Sequence, residues 1–191
     1  MMAKPEAVVI GSSAGALEAL SVILPALPAR FGLPLIIVVH VPADKPSLLA
    51  ELFRARCRVA VREAEDKEPI REGTVYFAPP DYHLLIESER TLSLSVDDPV
   101  LYSRPSIDVL FESAADAYGS GLIAIILSGA NHDGARGIKA VVASGGVAVI
   151  QSPEEAFSRA MPEAAMAACP NARVLPLSGI AAYLREVSDP A

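Results

Sequence analysis

Residues 7–15 read Ala7-Val8-Val9-Ile10-Gly11-Ser12-Ser13-Ala14-Gly15. An apolar, mostly β-branched run enters a glycine turn, and from residue 17 the apolar spacing changes to Leu17, Leu20, Leu24 and Leu27. A short continuous apolar run is the pattern of a buried strand, and steps of three and four residues are the pattern of a helix, so the stretch predicts strand, tight turn, helix.

Working outward, Leu35 to Val39 is a second all-apolar run. It ends at His40 and is followed by a loop holding Pro42 and Pro46, then a predicted helix over 47–56. A third strand is expected at Val59 to Val61. Between Thr74 and Val96, three short runs centred on Tyr76, Leu85 and Ser93 are divided by Pro79-Pro80-Asp81 and by Glu87-Ser88-Glu89-Arg90, and the middle of this stretch reads as an antiparallel hairpin. Ile107, Leu110, Phe111, Ala114, Ala115 and Tyr118 then form one helical stripe. Leu122 to Leu127 reads as a buried strand, Ala135 to Ser144 as a helix, Val147 to Ile150 as a strand and Ile180 to Val187 as a terminal helix. Strands alternating with helices imply an α/β fold with a doubly wound, mostly parallel sheet, helices on both faces and an inserted antiparallel hairpin. No repeat, low-complexity tract or linker interrupts residues 1–191, so a single domain is expected.

Composition narrows the function classes. The chain is 52% hydrophobic with a mean hydropathy of +0.38, yet its apolar residues come in short runs broken by Gly, Pro and charge. Buried parallel strands have that character. The net charge of −7 and the absence of a Lys/Arg cluster argue against nucleic acid, whose phosphates demand clustered cations. Ala7 to Ala29 superficially resembles a signal peptide, but Glu18, Pro25 and Pro28 break it. No run reaches the 18 or so apolar residues of a membrane span, so no membrane insertion is expected. Cys57 and Cys169 lie far apart without metal-ligand spacing, and reduced thiols in a cytoplasmic protein are the expectation.

In open parallel sheets ligands bind beyond the carboxyl ends of the strands. Three strand-to-helix loops qualify: Gly11 to Gly15, His40 to Pro42, and Gly129 to Gly134. The first fits G-x-S-x-G, a turn that lifts a serine hydroxyl above the sheet edge, and Ser13 is its centre. A dinucleotide site would want glycine where Ser13 stands and an acid where His40 stands, so both positions argue against a bound nucleotide. If the first two strands are neighbours, His40 comes within reach of the Ser13 proton. Asp133 reads in two ways, as a turn or helix-cap residue before Gly134, or as the carboxylate that orients an imidazole.

The ordered segments VVIGSSAGALEAL, IIVVHVP, YFAPPDYHLL, SRPSIDVLFESAA and LSGANHDGARG resemble the CheB chemotaxis-receptor methylesterases over nearly the whole chain. The resemblance implies a doubly wound sheet with a hairpin and a catalytic triad of Ser13, His40 and Asp133. It further implies hydrolysis of glutamate γ-methyl esters on the cytoplasmic helices of methyl-accepting chemotaxis receptors, with glutamine deamidation as a related activity and no metal or organic cofactor. Two departures stand out. The family commonly has Gly-Gly where this chain has Gly15-Ala16, and Met-Gly-Asn where it has Ala130-Asn131-His132. Two other classes remain as alternatives, a catalytically silent receptor-docking module of the same fold and a nucleotide-binding domain.

Of the remaining candidates, Arg104 could meet substrate carboxylates, although Arg104-Pro105-Ser106 reads more simply as a helix entry with Pro105 and Ser106 setting the start. His83 is expected on the surface or in the hairpin. His132 adjoins Asp133 and is the rival base, but sequence neighbours in a tight loop usually point apart, so His40 is the expected base, with its Nδ1–H bonded to Asp133. The typical family member also has an N-terminal phosphoacceptor receiver domain, and here the catalytic segment starts at residue 7, so regulation in cis by phosphorylation is not expected. Methanol release from methylated receptor fragments should therefore be the same with and without a phosphodonor. A large phosphodonor response from this chain alone would contradict that expectation.

Overall fold

The computed structural model describes residues 4–188. In chain order the elements are β1 (Ala7–Ser12), α1 (Ala16–Ile23), β2 (Leu35–Val39), α2 (Leu49–Arg54), β3 (Ala60–Glu63), β4 (Thr74–Phe77), β5 (His83–Ile86) and β6 (Leu92–Ser95). They continue with α3 (Ile107–Tyr118), β7 (Leu122–Ile126), α4 (Ala135–Ala143), β8 (Val147–Gln151), α5 (Ala160–Ala168), β9 (Arg173–Leu175) and α6 (Leu177–Ser188). Seven strands form one parallel sheet in the order β3-β4-β2-β1-β7-β8-β9, while β5 and β6 pair antiparallel as a separate hairpin.

The unbroken apolar runs follow from burial on both faces of this sheet. In β1, Ala7 and Val9 pack under α3, α4 and α5 with Leu110, Phe111, Ile138 and Ala165. Val8 and Ile10 point the other way, into a second layer with Leu20 and Ile23 of α1, Phe53 of α2 and Ile180 and Leu184 of α6. The segment with signal-peptide character is thus the central strand and its first helix. No helix among the described residues is long and apolar enough to cross a membrane.

The structure divides the 74–96 stretch in a way its pattern left open. Thr74–Phe77 joins the main sheet between β2 and β3, and only the later runs form the hairpin, whose Ile86 amide donates to Ser113 Oγ of α3 at 3.0 Å. Leu17 belongs to the expected helical stripe but is half exposed. The face that α1 buries is Ala16, Ala19, Leu20 and Ile23, and Pro25 tightens the following residues into a 3-10 turn. Two elements have no clear sequence pattern. The first, α5, is alanine-rich with Pro162 in its first turn, and the second, β9, is a three-residue edge strand with little burial.

The sheet positions the site through its switch point. From β1 the chain steps to β2 on one side and later returns to β7 on the other, so the carboxyl ends of these three strands lie side by side. Ile107, the first residue of α3, fills the space over them. A Cβ on Gly11 would meet its Cγ2 at 2.4 Å, and one on Gly134 would meet the same atom at 2.9 Å. Gly11→Ala should therefore displace Ile107 and lower stability by about 1–3 kcal/mol, the usual scale for overpacking a core, as read by urea denaturation. A variant as stable as the parent would contradict this packing.

Candidate active site

The ends of β1, β2 and β7 are laced together by main-chain bonds. The Ser13 amide donates to Ser128 O at 2.9 Å, the His40 amide to Ser12 O at 3.2 Å and the Leu127 amide to Gly11 O at 2.9 Å. Ser12 Oγ adds a bond to Ser128 O at 2.8 Å. Gly15, at φ 86°, turns the chain from the strand into α1, and a Cβ there would lie 2.6 Å from Phe157 and 2.9 Å from Ser128 Oγ. That combination of a left-handed backbone and close neighbours admits only glycine comfortably. Ser13 stands on this turn, partly exposed, and among the described residues its hydroxyl has no hydrogen-bond partner. No bond between Ser13 Oγ and His40 is made in this conformation.

His40 and Asp133, 93 residues apart in sequence, meet through His40 Nε2 and Asp133 Oδ2 at 2.7 Å. The expected Nδ1 contact is therefore replaced by its mirror: Nε2 carries the proton that Asp133 accepts, and Nδ1 is the nitrogen left free to act as base. His132 is exposed and takes no part in this bond.

Asp133 is fully buried, and its two oxygens accept four hydrogen bonds. Oδ2 takes His40 Nε2 and the Ile107 amide, both at 2.7 Å, and Oδ1 takes Ser106 Oγ and the Asp108 amide, both at 3.0 Å. Burial pushes its carboxyl up, but the bond from His40 and the amides of Asp108 and Ile107 outweigh it, leaving the group below the ordinary range and ionised. Asp133 meets both a helix end and an imidazole. It caps a helix, but that helix is α3 rather than its own, and the same carboxylate faces the imidazole. Ser106 does sit at the start of α3, yet its hydroxyl turns to Asp133 instead of capping its own helix.

Beside His40 opens a cleft of about 430 Å³ lined by Pro42, Asp81, Tyr102, Arg104 and Pro105. Arg104 lines it but spends its donors on the protein. Nε and Nη2 reach Asp81 Oδ1 at 3.0 and 2.6 Å, and Nη1 reaches the Val96 and Asp97 carbonyls at 2.9 and 3.1 Å. It braces the loop more than it offers charge to a substrate. His83 is in the hairpin as expected but is buried: its Nδ1 accepts the Ser106 amide at 3.1 Å and its Nε2 donates to Asp98 O at 3.0 Å.

Sequence reasoning missed three supports of the site. Asp108 accepts the amides of Gly134 and Gly137 at 3.0 and 2.7 Å. Gln151 Oε1 accepts the Ser128 amide at 2.8 Å, and Ser128 Oγ accepts the Ser158 amide at 2.8 Å. Each is a polar residue at a strand or helix end whose partner lies at least 23 residues away, a separation that no local pattern signals.

The chain is similar to several known proteins. The family model described as CheB methylesterase matches residues 8–184. A relative from Leptospira interrogans is 48% identical over 176 residues, covering 92% of this chain and 91% of that protein. The protein-glutamate methylesterase/protein-glutamine glutaminase 1 of Rhodospirillum rubrum is 35% identical over 95% of this chain, and its counterpart from Archaeoglobus fulgidus is 37% identical over 85%. In both of these the match spans about half the relative's own length, 48% in each case. The crystal structure of the Thermotoga maritima CheB methylesterase catalytic domain superposes with a TM-score of 0.91 at 33% identity, covering 97% of this chain and all of that one. With this family match over nearly its whole length, its parallel sheet and its attached hairpin, the chain belongs to the CheB methylesterase family, hydrolases of carboxylic esters.

Proposed function

We propose that residues 1–191 act as a single domain in which Ser13, His40 and Asp133 hydrolyse glutamate γ-methyl esters on the cytoplasmic helices of chemotaxis receptors, with glutamine deamidation by the same steps. The observation that carries the triad is the 2.7 Å bond between His40 and a wholly buried, ionised Asp133, formed at the sheet's switch point directly beside the serine turn. Ser13 Oγ attacks the ester carbonyl while His40 Nδ1 takes its proton. The imidazolium, stabilised by Asp133, returns that proton to the departing methoxide. Water then attacks the acyl-enzyme with His40 as base again, releasing glutamate and free Ser13. The Ser13 amide is occupied by Ser128 O, but the amides of Ala14 and Ala130 have no partner among the described residues and are the donors proposed for the oxyanion. The cleft at His40 would take the receptor segment, and the site of action is the cytoplasm.

Three variants test the assignment by methanol release from methylated receptor fragments. His40→Ala should lower kcat on the order of 10⁶-fold, the scale seen when a triad base is removed. Asp133→Asn should lower it about 10⁴-fold, because the amide NH2 donates to Nε2 and moves the imidazole proton onto Nδ1, where the serine proton has to go. The same NH2 sets an N–H against that of Ile107, so this variant should also be less stable. His132→Ala should stay within roughly tenfold of the parent, about 1.4 kcal/mol of barrier. Ester hydrolysis abolished by His132→Ala and spared by His40→Ala would overturn the triad.

A further inference from the structure

We propose that Asp108 is a positioning residue for the hydrolysis, fixing Asp133 against His40 by gripping the backbone that follows Asp133; the proposal rests on the triad assigned above. Asp108 lines no part of the cleft and makes no hydrogen bond to Ser13 or His40. Its hydrogen bonds outside its own helix run instead to the segment that carries Asp133. Its Oδ1 accepts the amides of Gly134 at 3.0 Å and Gly137 at 2.7 Å, while its own amide donates to Asp133 Oδ1 at 3.0 Å. The two aspartates therefore cross. The side chain of Asp133 is held by the backbone at the start of α3, and the backbone at the start of α4 is held by the side chain of Asp108.

This crossed pair does what the β7–α4 loop cannot do alone. Gly134, next to Asp133, has φ 98° and no side chain, so its torsions impose little on its neighbour. On the other side, Asn131 Oδ1 accepts the Asp133 amide at 3.1 Å, which sets the chain before the carboxylate but not after it. The Asp108 bonds supply the second anchor. Close approach makes them possible, since a Cβ on Gly137 would sit 2.6 Å from Phe111 Cβ and 3.1 Å from Asp108 Cα. Asp108 is 3% exposed, so the amides it holds lie away from bulk water and losing their acceptor is costly. Burial, chiefly, and the neighbouring Asp133 charge push its carboxyl up against the pull of the Gly137 amide. The oxygen accepts from two N–H groups in either protonation state, and an amide oxygen would serve as well.

The test compares Asp108→Ala, Asp108→Asn and Asp108→Glu in the full chain, reading kcat and KM for methanol release and the downfield proton NMR signal of His40 Nε2–H. Asp108→Ala should lower kcat about 10- to 100-fold, the consequence of misplacing a group by about 1 Å, with KM within threefold and the imidazole signal shifted or broadened. Asp108→Asn keeps the acceptor and should restore both kcat and the signal to near the parent's. Asp108→Glu moves the acceptor by one methylene and should behave like alanine. A folded alanine variant with the parent's kcat and signal would overturn the proposal. So would an asparagine variant more than tenfold slower than the parent, a comparison that stands even if the alanine protein does not fold. Should the parent itself release no methanol, the triad reading fails, whereas the imidazole signal in the three variants still decides whether Asp108 orients the pair.

Discussion

A carboxylate removed from water has to find as many donors as it leaves behind, and the placement of Asp133 is organised by that demand. Its four hydrogen bonds come from an imidazole, a hydroxyl and two amides that open α3. Those amides have no partner within their own helix, and a negative charge is favoured at a helix N-terminus. One interaction thus completes α3, fixes its approach to the sheet and leaves an ionised oxygen aimed at His40. Gly11, Gly134 and Gly137 are small because Ile107 and Asp108 come so close to them.

The two buried acids pull stability in opposite directions with pH. The folded pKa of Asp133 is depressed, so the stability it contributes is present above its unfolded value, about 3.9, and is lost as the pH falls through the lower folded value. That of Asp108 is raised, so its contribution is largest when it is protonated and is lost as the pH rises through the folded value. Of the two, the acid that faces the imidazole is the one whose charge the fold favours. In the proposed hydrolysis, an anion fixed before the reaction would stabilise the imidazolium without reorganising when it forms.

Much of this was legible in the sequence, and the parts that were not share a cause. The run 7–10, the run 35–39 and the run 122–127 announced buried parallel strands, and the glycine-flanked Ser13 and the strand-end His40 and Asp133 followed from where such strands place their loops. Local pattern could not assign Thr74–Phe77 to the main sheet, because a short apolar run looks alike in a hairpin and in a parallel sheet. It could not find β9, whose Arg173 and Val174 gain little from burial at an edge. Nor could it choose the imidazole nitrogen, which depends on the direction from which the carboxylate arrives. Ser106 read as an ordinary helix start and Asp108 carried no signal at all, since nothing local says that their partners lie 26 to 29 residues further on.

The central claim is that burial of Asp133 and its bond to His40 make Ser13 a nucleophile. Labelling with a fluorophosphonate, followed by peptide mass spectrometry, addresses that claim most directly, since only an activated serine reacts. The expected result is one adduct, on the peptide carrying Ser13, absent in Ser13→Ala and strongly slowed in His40→Ala. An esterase-active protein that stays unlabelled, or that carries its adduct on another residue, would contradict the account.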